Sequence, residues 1–270
     1  MDGWTPSDWT GPGACSTCQP YAKYQGAHWR LVEFAELGVP LGPEAVRPAV
    51  ELVLAWAATS PATHVVAAVR PPARPRLHAS IPGNVVYACT TLGFGSDPRV
   101  RHLVDVLLGA QWPDGGWNCD RHADAHRSSF HETVTPAIGL ASYGRLHGDG
   151  EALAAAHRAG ELLLEHRLFR RHGTGGAIHP TWIELHYPPY WHYDVLQGLR
   201  LVAALGRIAD ERAADALEVV ASRRGPDGGF AAASWNSSRY LAAVDYGRGS
   251  ANVLLRERAE AVLAAGGRLP

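Results

Sequence analysis

Apolar residues along this chain recur mainly at helical spacing. HWRLVEFAELG, starting at His28, is the first such run, closed by Gly38 and Pro40. PEAVRPAVELVLAWAA follows, and residues 70–83, RPPARPRLHASIPG, read as a Pro-rich connector at the surface or a rim. The pattern then returns in rounds. GNVVYACTTLGFG predicts a short apolar helix and DPRVRHLVDVLLGAQW an amphipathic one ending in PDGGW. HETVTPAIGLASYGRLHG, DGEALAAAHRAGELLLEHRLFRR and HGTGGAIHPTW make the next round. YWHYDVLQGLRLVAALG, DERAADALEVVASRR and PDGGF make another, and a last helix over roughly 249–265 closes the chain. No strong period-two alternation is present, so few strands are expected.

Each round pairs a nearly all-apolar helix with a one-faced, charge-flanked one. The first kind is buried and the second lies outside it. With a period of roughly 50–60 residues this predicts an all-α fold, an α/α toroid of about four to five hairpins. An open helical solenoid is the alternative. Residues 1–27 form an irregular N-terminal segment packed on or capping the ring, and 28–270 the single toroid domain. Pro113, Asp114, Gly115 and Gly116 are turn chemistry. Gln111 is placed to satisfy open backbone groups at the helix end, and Trp117 to stack over the turn.

Composition narrows the partners. Of 270 residues 46% are hydrophobic and 19% charged, with a net charge of −1, so no basic surface points to nucleic acid. No apolar run is long enough for an integral membrane span. The polar start MDGWTPSDWTGPG is unlike a signal peptide, and a cytoplasmic location is expected. The four cysteines, Cys15, Cys18, Cys89 and Cys119, then read as thiols or metal ligands sooner than disulfides. Cys15-x-x-Cys18 could be packed thiols, a redox pair or half a zinc site.

QWPDGGW at 111–117 resembles the QxxxGxW repeat of squalene-hopene and oxidosqualene cyclases, and PDGGF at 226–230 the matching turn of protein prenyltransferase β subunits. The second copy has Arg224 and Phe230 for Gln and Trp, and a third, around Gly175-Gly176, is degenerate. KYQGAHWRLVEFAELG, GNVVYACTTLGFGSDPRV, QWPDGGWNCD and LFRRHGTGG…WHYDVLQGL extend the likeness to small bacterial proteins with such repeats, over most of 20–230. The resemblance implies an α/α toroid with a cavity at its centre, and it carries no reaction. The chain lacks both the DxDD acid of class II cyclases and the DDxxD of other terpene synthases, which argues against squalene-type cyclisation.

Candidate chemistry falls where the apolar helices start: His28, Asn84, His131-Glu132 and His192-Tyr193-Asp194. In a toroid these converge on one mouth. His28, His131, Glu132, His192 and Asp194 are the candidate catalytic groups, although Asn84 and Asp194 also suit helix capping. Converging helix starts favour an anion, which Arg170-Arg171-His172 and Arg223-Arg224 could assist. NCDRHADAHRSSFHE, 118–132, is rich in zinc-type donors. Zinc held by Cys119, His131 and His192, with Glu132, is one reading. The same residues as acid/base groups without metal is the other. Trp29, Trp117, Tyr190, Trp191 and Tyr193, with Asn84, are candidate substrate-binding residues, since aromatic faces suit flat apolar or cationic ligands.

The functional expectation is a small enzyme of specialised metabolism. It would act on a small apolar or amphipathic substrate (an isoprenoid or polyene, for example) by acid/base or metal-assisted cyclisation, isomerisation or elimination. A zinc-dependent prenyl-type transferase and a non-catalytic apolar-ligand-binding protein are the alternatives.

Overall fold

A computed structural model describes residues 26–38, 42–60, 63–65, 74–122, 124–233 and 252–269. Cys15 and Cys18, and the capping role given to the N-terminal segment, lie outside the described residues. The described chain is all-α, with nine α-helices and only isolated β-bridges. They are α1 (Ala27–Leu37), α2 (Pro43–Thr59), α3 (Ser80–Thr91), α4 (Pro98–Ala110), α5 (Phe130–His147), α6 (Gly150–Glu165), α7 (Val195–Ala204), α8 (Ala214–Ser222) and α9 (Val253–Ala265). None is long and apolar enough to cross a membrane.

The ends of these helices follow from sequence. Asp97, Asp149, Asp194 and Asn252 cap α4, α6, α7 and α9, each accepting a first-turn backbone N–H. Gly38 and Gly148 end α1 and α5 in the left-handed conformation, at φ 59° and 67°. Two starts differ from expectation: α7 begins at Val195, after His192 and Tyr193, and α3 begins earlier than expected. Residues 80–83 are not connector but the first turn of α3. Pro82 is tolerated there because a first-turn N–H has no intrahelical partner to lose. Asn84 is therefore one turn inside the helix and does not cap it.

Packing puts the odd-numbered helices in one row. α1 contacts α3, α3 contacts α5 and α5 contacts α7, while α2, α4 and α6 neighbour one another behind them. α9 packs on α7 and α8. α3 and α5 run parallel and touch backbone to backbone. A Cβ on Gly83 would stand 2.5 Å from the Pro136 Cα, and one on Gly139 would stand 2.6 Å from the Gly83 carbonyl oxygen. α3 itself is buried nearly all round, as its apolar pattern requires.

Candidate functional site

The turn at 111–117 builds the first part of the site. Gly115 takes φ 95°, which only glycine adopts freely, and Trp112 N–H donates to the Gly116 carbonyl at 2.8 Å. Gln111 Nε2 donates to the Gly115 and Ala155 carbonyls at 2.7 and 2.8 Å, so it closes its own turn and ties it to α6. The Trp117 indole N–H reaches back to the Leu107 carbonyl at 2.9 Å. Trp117 is fully buried, which makes it core and not a substrate wall.

Beyond Trp117 the chain makes a loop pinched at its base. Ser129 N–H donates to the Trp117 carbonyl at 2.8 Å, and Asn118 Nδ2 donates to the Arg127 carbonyl at 2.7 Å. The connector before α3 lies across this loop. Arg74 donates to the His126 carbonyl, and Arg76 to those of His122 and Ala125. Both guanidinium groups sit over the Trp112 ring, at 5.0 and 4.6 Å. Leu77 N–H then pairs with the Asn118 carbonyl at 3.1 Å. The next residues on the two strands of chain, His78 and Cys119, are thereby brought together at the first turn of α5.

There they meet Glu132. One ligand atom each from His78, Cys119 and Glu132 lies within 4.8 Å of the others, and His78 Nδ1 is 3.9 Å from Glu132 Oε1. Ser80 N–H, in the first turn of α3, holds Glu132 Oε2 at 2.8 Å. Burial, followed by the Glu132 carboxylate to which its S–H donates, pushes the Cys119 thiol up to about 12. Tetrahedral ligands at ordinary zinc bond lengths stand about 3.3–3.5 Å apart, so modest closure would bring three zinc-type donors to a bound ion. The other donors of the loop do not join them. His122, Asp124 and His126 are exposed, and none of the three is helical.

His131 and His192 belong to a different group. His131 Nδ1 accepts from Tyr193 N–H at 2.8 Å, which places the proton of the neutral ring on Nε2. Burial, with His179 adding repulsion, pushes His131 down to about 4, so it is neutral near pH 7. Its ring lies edge-on to Trp182, Trp191 and His192, the last at 6.1 Å, and Trp191 stacks on His192 at 4.0 Å. The metal set expected from sequence is thus divided: Cys119 and Glu132 stay together, while the histidine beside them is His78.

Asn84, Tyr190 and His192 line one cleft between α1, α3, α5 and the start of α7. It encloses about 370 Å³ counting its open mouth, and about 30 Å³ of that can take the centre of a water. Trp29 packs edge-on against Tyr190 at 5.4 Å, and His28 against Trp29 at 4.8 Å. His28 is buried, neither ring nitrogen is hydrogen-bonded among the described residues, and burial pushes it down to about 3. That makes it a neutral ring near pH 7, packed against Trp29.

Two further expectations change. Tyr193 is fully buried with its hydroxyl donating to the Leu168 carbonyl, so it is core. Asp194 is also fully buried. Oδ1 accepts from Gln197 N–H, and Oδ2 accepts from the N–H and Nδ1 of His186, so the carboxylate caps α7 and presents no face to a ligand. Arg170 and Arg171 are likewise structural, bonded to Asp215 and to the Gly175 and Ile178 carbonyls.

Sequence reasoning missed three features. His78 sits in a stretch without periodicity. Glu33 is buried, and that burial, partly offset by Arg30, pushes it up to about 7. At the cleft, Glu36 accepts from Arg200 Nη2 at 2.8 Å on both oxygens and from Tyr187 Oη at 3.3 Å, and Arg258 Nη2 is 3.6 Å away. Burial alone would raise Glu36, but the two guanidinium groups outweigh it and hold it below the usual carboxylate range. An acidic residue near the end of an apolar helix was the only sequence signal. No protein-family model, curated protein or solved structure matches the chain.

Proposed function

We propose that this protein is a metal-assisted enzyme of small-molecule metabolism, with His78, Cys119 and Glu132 as ligands of a zinc ion. The observation that carries the reading is the convergence of those three donor types at the head of α3 and α5. Three protein ligands are the usual complement of a catalytic zinc, which supplies Lewis acidity and an exchangeable fourth position. The chain's own groups are arranged for this. Ser80 N–H fixes one oxygen of Glu132 and leaves the other towards His78. The Cys119 thiol, pushed up by burial and by Glu132, would have to release its proton to serve as a thiolate ligand. His131 offers a neutral N–H among the aromatic rings.

A closed α/α toroid belongs to the same proposal, as does kinship with the cyclase and prenyltransferase repeat proteins. Glu36, at the end of α1, is bound from α7 and α9, so the first and last helices of the row are held together. A small apolar or amphipathic substrate would occupy the cleft beside that junction and undergo cyclisation, isomerisation or elimination.

Elemental analysis of protein expressed with ample metal tests the reading. Zinc near one equivalent is expected, lost in His78→Ala and Cys119→Ser and kept in His131→Ala and His192→Ala. Adding zinc to stripped protein should release about one proton. Zinc-free protein, or zinc retained in both the His78 and Cys119 variants, would rule it out.

A further inference from the structure

We infer that the cleft between α1, α3, α5 and α7 is a receptor for the carboxylate of a small amphipathic molecule. Asn84 and Gln197 are both buried and both line the cleft, and the side-chain nitrogens of both, Nδ2 and Nε2, lack a hydrogen-bond partner among the described residues. The orientation of Gln197 is fixed by chemistry. Its Oε1 accepts from Arg200 Nη1 at 2.8 Å, and a guanidinium can only donate, so the NH2 must be the end left over. Two buried N–H donors without acceptors ask for a ligand, or resting waters, that bring acceptors. The space open to water centres, about 30 Å³, is enough for one or two such waters.

Charge chooses among acceptors. Glu36 is the anion of the cleft, and it faces two cations, Arg200 and Arg258. The group carries one net positive charge, and the Glu36 oxygens are already taken by Arg200 and Tyr187. A carboxylate supplies two acceptor oxygens and the missing negative charge in one planar group. Val32, Val134 and Ile138 complete the lining and suit an apolar tail. This names the class of the proposed substrate, yet it stands on the cleft alone and holds with or without a metal at His78, Cys119 and Glu132.

The test uses full-length protein stripped of metal, titrated with hexanoate, hexanol and hexylammonium and followed by calorimetry and by side-chain amide NMR. Hexanoate should bind at least tenfold more tightly than hexanol, and hexylammonium should not bind. The carboxamide NH2 resonances of Asn84 and Gln197 should shift with hexanoate. Asn84→Leu and Gln197→Leu should each weaken hexanoate at least tenfold. Asn84→Leu should melt no lower than the parent, since it removes an unpartnered donor, whereas Gln197→Leu also takes the acceptor from Arg200 Nη1 and should melt lower. Equal affinity for hexanoate and hexanol, unmoved carboxamide signals in the unmodified protein, or unchanged affinity in both variants would overturn the inference. Because no zinc is present, none of these outcomes bears on the metal.

Discussion

At 111–117 Trp112 N–H donates to the Gly116 carbonyl, Gly115 N–H to the Trp112 carbonyl, and Gly115 holds φ 95°. At 224–230 the equivalent groups repeat this. Gly225 N–H meets the Gly229 carbonyl at 2.8 Å, Gly228 N–H meets the Gly225 carbonyl at 2.9 Å, and Gly228 holds φ 76°. Both tails then pair with the segment before an inner helix, in different registers. Leu77 N–H, just before α3, donates to the Asn118 carbonyl one residue after Trp117; Ala233 N–H, three residues after Phe230, donates to the Leu185 carbonyl in the segment leading to α7. Each pairing sets a histidine beside a carboxylate, His78 by Glu132 and His186 by Asp194. The difference lies in what is left open. His186 and Asp194 are 1% and 0% exposed and bonded to each other and to backbone, with alanines on the adjoining strand. His78 is 38% exposed, and the adjoining strand brings Cys119. One backbone device serves as a structural latch in one place and as an accessible donor cluster in the other.

The largest effects should be common to both turns. Trp117 and Phe230 are fully buried on their turns, and either change to alanine should cost about 3–5 kcal/mol by denaturant unfolding. A loss below about 1 kcal/mol at one of them would show that the two aromatic plugs are not equivalent. Gly115→Ala and Gly228→Ala should then separate. Both place a side chain at positive φ, at about 1–2 kcal/mol. At Gly115 the new Cβ would also stand 2.5 Å from the Arg158 carbonyl oxygen, whereas at Gly228 the nearest atom is 3.8 Å away on the flexible Arg224 side chain. Gly115→Ala should therefore be worse by a further 1–3 kcal/mol. Equal losses would mean that α6 yields freely at the first turn.

Smaller still is the effect of the residue that opens each turn. Gln111→Ala removes donors from two carbonyls and an acceptor from Arg158, and should lower stability by about 1–2 kcal/mol. Arg224→Ala breaks only a long, partly exposed contact to Glu260 at 3.5 Å, and should change stability by less than about 0.5 kcal/mol. The reverse order would show that the second turn relies on its arginine.

Much of this was legible in advance, for a definite reason. The helices announce themselves by period, their ends by Gly and Asp, and the turns by Pro-Asp-Gly-Gly, because those signals are local. The degenerate third copy is a local matter too: Arg171 N–H reaches the Gly176 carbonyl, one residue further on than in the other two turns. Cys119 and Glu132 were visible as donors near each other in sequence. His78 was not, because its place depends on Arg74 and Arg76 gripping carbonyls about 50 residues away. The Glu36–Arg200 junction spans 164 residues, and nothing in either helix alone names the partner. Asp194 and Trp117 had the right chemistry for a site. Only burial shows that neighbouring backbone groups occupy them.

The gentlest substitution cuts deepest into the comparison. Cys119→Ser keeps size, burial and a hydroxyl proton for Glu132, so metal-free protein should unfold within about 0.5–1 kcal/mol of the parent. Ala232→Ser, the matching position after the second turn, should be equally mild. Zinc then separates them. A ligand bound only by the folded state stabilises by RT ln(1 + [L]/Kd), about 2.7 kcal/mol at a hundredfold excess over Kd. Parent and Ala232→Ser should show that gain in thermal melts, and Cys119→Ser should show little of it, because serine oxygen is a far poorer zinc ligand than thiolate. If zinc raises the melting temperature of all three alike, the sulfur after the first turn is packing, and the two turns differ in nothing but the residues that line them.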